Sequence, residues 1–129
     1  MSRFYSANVA TNQAVVTSAE TVVTTLSGIS SARAGETIRF HGQVSILTGV
    51  ATTAIILRVR ATSLAGAIVD EPVSAELEAV AGSRETHDLV VVDLAPGELA
   101  GATYVLTVEQ TAATADGSVQ HASLKAEIA

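Results

Sequence analysis

Arg58 and Arg60 stand two residues apart inside "TTAIILRVRATSLAG" (52–66), a highly apolar and β-branched stretch of the chain. On a strand that spacing puts both guanidinium groups on one face with Ile56, while Ile55, Leu57 and Val59 take the other. The chemistry open to such a pair is recognition: a planar guanidinium holds a carboxylate bidentately and tolerates partial burial better than an ammonium. Glu109 and Asp93, in other strand-like segments, are the carboxylates that could meet it, on adjacent strands or adjacent subunits. The alternative is an ordinary solvent face on which arginine stems cover neighbouring apolar surface. Ile56 sharing its face with two charges favours burial, so Arg58, Arg60, Ile56, Glu109 and Asp93 are the expected subunit interface.

No arrangement for turnover accompanies them. His41, His87 and His121 fall in three separate segments without HxH or HExxH spacing, which reads as surface or internally satisfied histidines rather than a metal site. Ser, Asp and His all occur, yet no GxSxG elbow presents a nucleophile, and no glycine-rich loop leads into a helix to cradle phosphate. The acidic groups "VDEP" (69–72) and "ELE" (76–78) and the residues around Glu109 read as solvated edges or turns, and "ADGS" as a hairpin turn rather than a calcium loop. Calcium held by carboxylates around a symmetry axis is the one ion site left open; no catalytic residue, cofactor or small-molecule substrate is expected.

The elements that must position these residues are strands. Candidates are "QAVVTS", "TVVTTLSG", "ETIRFHGQVSIL", "TTAIILRVRATS", "AIVDEPVSAELEAV", "RETHDLVVVDL", "ATYVLTVEQTAA" and "SVQHASLKAEIA". Between them lie the turn signals "SSARAG", "TGVA", "LAG", "AGS", "APGELAG" and "ADG". Alternation places Ile38, Phe40, Val44 and Ile46 on one face against Arg39, His41, Gln43 and Ser45, and Tyr104, Leu106 and Val108 against Thr103, Val105 and Thr107. "SAELEAV" alone favours a helical turn, and Pro72 and Gly82 leave it little room. The expected fold class is all-β: an antiparallel two-sheet jelly-roll sandwich of about eight strands, with a seven-stranded immunoglobulin-like sandwich second. Residues 1–12, polar apart from Phe4, Tyr5 and Val9, read as an N-terminal arm, and 13–129 as the β-sandwich domain. The two aromatics either tuck onto the domain's own surface or dock on a neighbour.

In "LVVVDL", Val90, Val92 and Leu94 oppose Leu89 and Val91, so both faces are apolar and both need cover. A two-layer sandwich covers one of them, and neighbouring subunits are expected to cover the other, a three-fold trimer being a familiar arrangement. Composition narrows the partners further. The 129 residues carry a net charge of −6, with seven basic residues scattered along the chain, which excludes an electrostatic nucleic-acid or anionic-membrane surface. Apolar residues make up 48%, but no run is long enough for a membrane helix. Aromatics are only 3% and Trp is absent, which weighs against sugar- or base-stacking. Cys is absent, so packing or assembly must supply the stability, and the opening "MSRFYSANVATNQ" has no signal-peptide pattern, so cytoplasmic synthesis is expected.

The succession "AGETIRFHGQVSI", "TTAIILRVRATSLAGAIVDE" and "GATYVLTVEQTAATADGSVQHASLKAEIA" resembles the small jelly-roll modules of tailed-bacteriophage virions, over about residues 13–129. Many of those modules look like tumour-necrosis-factor or C1q heads and assemble as trimers. The resemblance implies a non-enzymatic structural role on the virion, made in the host bacterial cytoplasm: a head decoration (cement) protein, partnered by its own copies and by the major capsid protein. Phe4 and Tyr5 would then form a capsid-docking arm. A receptor- or glycan-binding head-fibre or tail-spike knob is the alternative, with "APGELAG" as its loop site; the absence of a shaft favours decoration. An enzyme or cupin-like binder on the same fold would need clustered His and Glu ligands, which are missing.

Overall fold

The computed structural model describes residues 3–9, 13–14, 19–31, 36–48, 54–77, 82–93, 99–110 and 118–128. The strands are β1 (Arg3–Val9), β2 (Gln13–Ala14), β3 (Thr21–Ser31), β4 (Ile38–Leu47), β5 (Ala54–Ala61), β6 (Val73–Glu76), β7 (Arg84–Asp93), β8 (Leu99–Gln110) and β9 (Ser118–Ile128); no helix occurs among the described residues. A five-stranded sheet runs β1-β9-β4-β7, with β2 also on β9, and faces a four-stranded sheet ordered β3-β8-β5-β6. The pairing is antiparallel and nested: β1 and β2 with β9, β3 with β8, β4 with β7, β5 with β6. A long hairpin closed on itself in this way, and rolled so that β4 also meets β9 and β5 also meets β8, is a jelly roll. The expected all-β two-sheet jelly roll is the fold observed.

Alternation decides which side chains fill the space between the sheets. Ile38, Phe40, Val44 and Ile46 of β4 are fully buried, while Arg39 and His41 between them are exposed. Ile55, Leu57 and Val59 of β5 and Leu106 and Val108 of β8 come in from the facing sheet, also fully buried. Each such side chain contributes about 1.5–3 kcal/mol by leaving water. Phe40 and Tyr104 meet across the sandwich with ring centroids 4.6 Å apart and planes tilted 47°. Gly42 is the third of five inward positions of β4, and a Cβ there would come 3.0 Å from Leu106 Cδ1. The missing side chain is the hole into which Leu106 of the other sheet fits.

Three segments refine the sequence-based expectation. Over Arg3–Val9 the expected N-terminal arm is an edge strand, in register with β9 from Arg3↔Ile128 to Val9↔Ala122. Its covered face alternates Arg3, Tyr5, Ala7 and Val9, too mixed to mark a strand; its backbone hydrogen bonds to β9 decide its conformation. Within the strand candidate "AIVDEPVSAELEAV" the strand is Val73–Glu76, where pairing with Ala54–Leu57 outweighs the helix preference of Ala and Glu. β8 begins at Leu99, inside the "APGELAG" turn signal, and its register with β3 shifts between Leu26 and Ile29, where Gly28 takes φ +81°. Only Gln13 and Ala14 of the candidate strand "QAVVTS" lie among the described residues, and "TGVA" is described only at Thr48.

Candidate functional site

Arg58 and Arg60 project from the outer face of the four-stranded sheet, opposite Thr107 and Val105 of β8. Arg58 Nη1 donates to Glu109 Oε1 at 2.8 Å and lies 3.3 Å from Glu20 Oε1. Arg60 grips Glu20 bidentately, Nε to Oε2 at 2.6 Å and Nη2 to Oε1 at 2.8 Å, and gives Nη1 to the Gly66 carbonyl at 2.8 Å. Glu20, immediately before β3, also accepts from the Thr107 hydroxyl at 2.5 Å. Thr107 occupies an outward position of β8 and is nevertheless fully buried. The turn that brings Gly66 to Arg60 admits no other residue, since a Cβ there would overlap the Ala61 carbonyl oxygen.

The electrostatics follow from this geometry. Burial alone pushes the Glu20 carboxyl up; the hydrogen bonds from Arg60 and Thr107, with the charges of Arg58 and Arg60, outweigh it and hold the group below its ordinary value. The bond to Glu20 raises Arg60 in turn, against the opposing effect of its own desolvation. The cluster is a clamp that fastens the entry of β3 onto β5 and β8.

Of the two proposed carboxylate partners, Glu109 meets Arg58 across adjacent strands of the same chain. Asp93 does not belong to the group: it lies on β7 of the other sheet, opposite Ile38, where its charge adds to burial in raising the Tyr104 phenol. Ile56 is half-buried between Glu109 and Ser74 of the neighbouring strands. The carboxylate that dominates, Glu20, was missed because it precedes its strand by one residue and meets arginines far along the chain. An acid directly before the β-branched run "TVV" was its only trace in the sequence.

The outer face of the five-stranded sheet is different in kind. One row across β1, β9, β4 and β7 reads Phe4, Glu127, Arg39, Val92, and the next reads Ser6, Lys125, His41, Val90. Phe4 is 73% exposed and Val90 48%. Phe4, Arg39, His41, Val90, Lys125 and Glu127 line a shallow cleft of about 360 Å³. His41 Nε2 stands 3.9 Å from Asp88 Oδ1. Tyr5, the other aromatic of the expected docking arm, turns inward: its ring packs on the core, and its hydroxyl donates to the Ser30 carbonyl at 3.4 Å and accepts from the Ser30 N–H at 3.3 Å. Val90 gives the apolar second face expected of "LVVVDL", whereas Leu89 and Val91 are in the core.

No protein-family model matches the chain, and no curated protein matches it in sequence. Solved structures do match. A chain of the T13 viral particle of infectious bursal disease virus superposes with a TM-score of 0.65 at 12% identity, covering 97% of this chain and 31% of that one. The Gx strain of the same virus gives 0.61 at 12% identity over 100% and 32%, and its VP2 subviral particle 0.56 at 12% over 98% and 32%. What is shared is the fold. This chain spans about a third of the length of those viral chains, and its jelly roll corresponds to one part of each.

The remaining candidates are dispersed over that roll. His87 pairs with Glu85 at 3.0 Å near the start of β7, while His121 of β9 lies opposite Ser45 of β4. Among the described residues no group of three His, Asp or Glu side chains is placed to hold a metal ion. Among the described residues the clamp is satisfied within the chain, whereas the cleft on the five-stranded sheet is open and carries exposed apolar and cationic groups.

Proposed function

We propose that this chain is a non-enzymatic virion structural protein, a capsid decoration (cement) protein that assembles as a trimer on a bacteriophage head. The observation that carries the reading is the jelly-roll likeness to viral-particle chains over nearly the whole of this chain at TM-score 0.65. The exposed Phe4 on edge strand β1, beside an open cationic cleft, supports a surface that seats on other proteins. The mechanism is area and linkage. Each copy bound to the major capsid protein and to its neighbours must be released before the shell opens, so at a free concentration about a hundredfold above its dissociation constant each site opposes opening by about 2.7 kcal/mol. Synthesis in the host bacterial cytoplasm, followed by attachment to the capsid exterior, completes the reading. No metal, cofactor, nucleic acid or membrane takes part in it.

The test is co-sedimentation of the purified protein with DNA-free heads that lack it, followed by heating of the shells. Saturable pelleting and a higher disruption temperature are expected. Protein left in the supernatant at all concentrations, with unchanged shell stability, would overturn the reading.

A further inference from the structure

Of the described lysine and arginine side chains, Arg3, Arg58 and Arg60 are held by carboxylates within the chain. Arg39, Arg84 and Lys125 are not, and two of these three share the cleft on the five-stranded sheet. Glu127 shares this cleft, yet among the described residues neither Arg39 nor Lys125 forms an ion pair, in a chain of 13 acidic and seven basic residues, which leaves both free to meet carboxylates supplied from outside. Arg39 lies opposite Glu127 and Lys125 opposite His41, so the two cations are diagonal neighbours, roughly 7–8 Å apart at the backbone. Phe4 on β1 and Val90 on β7 flank them, separated by three strand spacings, or about 14 Å. A small anion would reach the middle of this row and leave both apolar posts bare; a protein surface carrying acids and apolar side chains covers all of it.

This chain carries such a surface. Among the described residues the exposed large apolar side chains are Phe4, Val90, Leu64 and Ile68. The first two stand at the cationic cleft. The other two lie on the connector between β5 and β6, which ends in exposed Asp70 and Glu71. We infer that the cationic face of the five-stranded sheet binds the acidic β5–β6 connector of a second copy, Arg39 and Lys125 meeting Asp70 and Glu71 while Phe4 and Val90 cover Leu64 and Ile68. The two surfaces are different parts of the chain, so each copy offers one of each, and a closed ring uses them all. The inference gives surfaces to the self-assembly in the reading above and rests on that part of it alone.

Analytical ultracentrifugation of the protein by itself tests it, separately from any shell. The parent is expected to associate between micromolar and millimolar concentration, with an apparent dissociation constant that weakens roughly tenfold on raising the salt from 50 to 500 mM. Arg39→Glu with Lys125→Glu makes both surfaces acidic and should leave a monomer. Asp70→Asn with Glu71→Lys removes the acids and should do the same; asparagine is used because residue 70 sits at φ +61°. Mixing the two variants should restore a complex containing both, which neither misfolding nor simple loss of solubility could produce. A parent that stays monomeric at millimolar concentration, variants that associate like the parent, or a mixture that stays monomeric would each overturn the inference.

Discussion

Replacing Glu20 by Gln is the sharpest probe of the arginine clamp. The amide keeps the shape of the side chain and removes its charge. One oxygen is left to accept where the carboxylate took two bonds from Arg60 and one from Thr107, and the new NH2 must face an N–H or O–H donor. The side chains of Glu20, Arg58 and Arg60 are only 14%, 15% and 18% exposed, so the pair is nearer the buried than the surface limit. Breaking a buried pair costs about 3–5 kcal/mol and an exposed one about 0–1, which brackets this substitution at about 2–4 kcal/mol. For a domain of this size that is a fall in Tm of roughly 8–15 °C. Glu20 is held below its ordinary value in the folded state, so its contribution is fully present at neutral pH and is lost as pH falls through the folded value. Thermal melts followed by circular dichroism should therefore show parent and variant far apart at neutral pH and converging below 4.5, the carboxyl's ordinary value. A difference under about 2 °C at neutral pH, or one that does not narrow in acid, would refute the clamp as a stabilising unit.

Two further substitutions examine the core. Gly42→Val places branched atoms where even a Cβ would come 3.0 Å from Leu106, and should cost about 2–3 kcal/mol, read as a lower urea midpoint with unchanged slope. Gln110 is fully buried with neither amide atom hydrogen-bonded, so Gln110→Met, close in volume and free of that desolvation penalty, should raise stability by about 1–2 kcal/mol in the same titration.

The strands that form the core were legible because each has one face against the other sheet: Ile38, Phe40, Val44 and Ile46 alternate with polar residues, and so do Ile55, Leu57 and Val59. Alternation assigns a residue to a face and is silent on what covers that face. Hence Arg58 and Arg60 were correctly placed outward, while the cover, Glu20 from the approach to β3, depended on the order of strands in the sheet. The cationic cleft was hidden for the same reason. Arg39 and His41 were read together, but Lys125 joins them only through the pairing of β4 with β9. Of the edge strands, β1 and β6 were the least visible, since they owe their conformation to neighbours more than to their own residues.

The nested pairing also bears on the order in which the chain folds. The inner end of its β5–β6 ladder, Leu57↔Val73, joins residues 16 apart, whereas Arg3↔Ile128 joins residues 125 apart. Closing the longer loop directly from the open chain costs about 2 kcal/mol more in configurational entropy. Once β5 and β6 have met, however, β4 and β7 are already near one another, and each later pair closes onto ends that the previous pair has gathered. The roll should therefore zip from its middle outward, with β1 docking last. In the native protein the amides that bind β1 to β9 should be the first to exchange with solvent, well before those of β4.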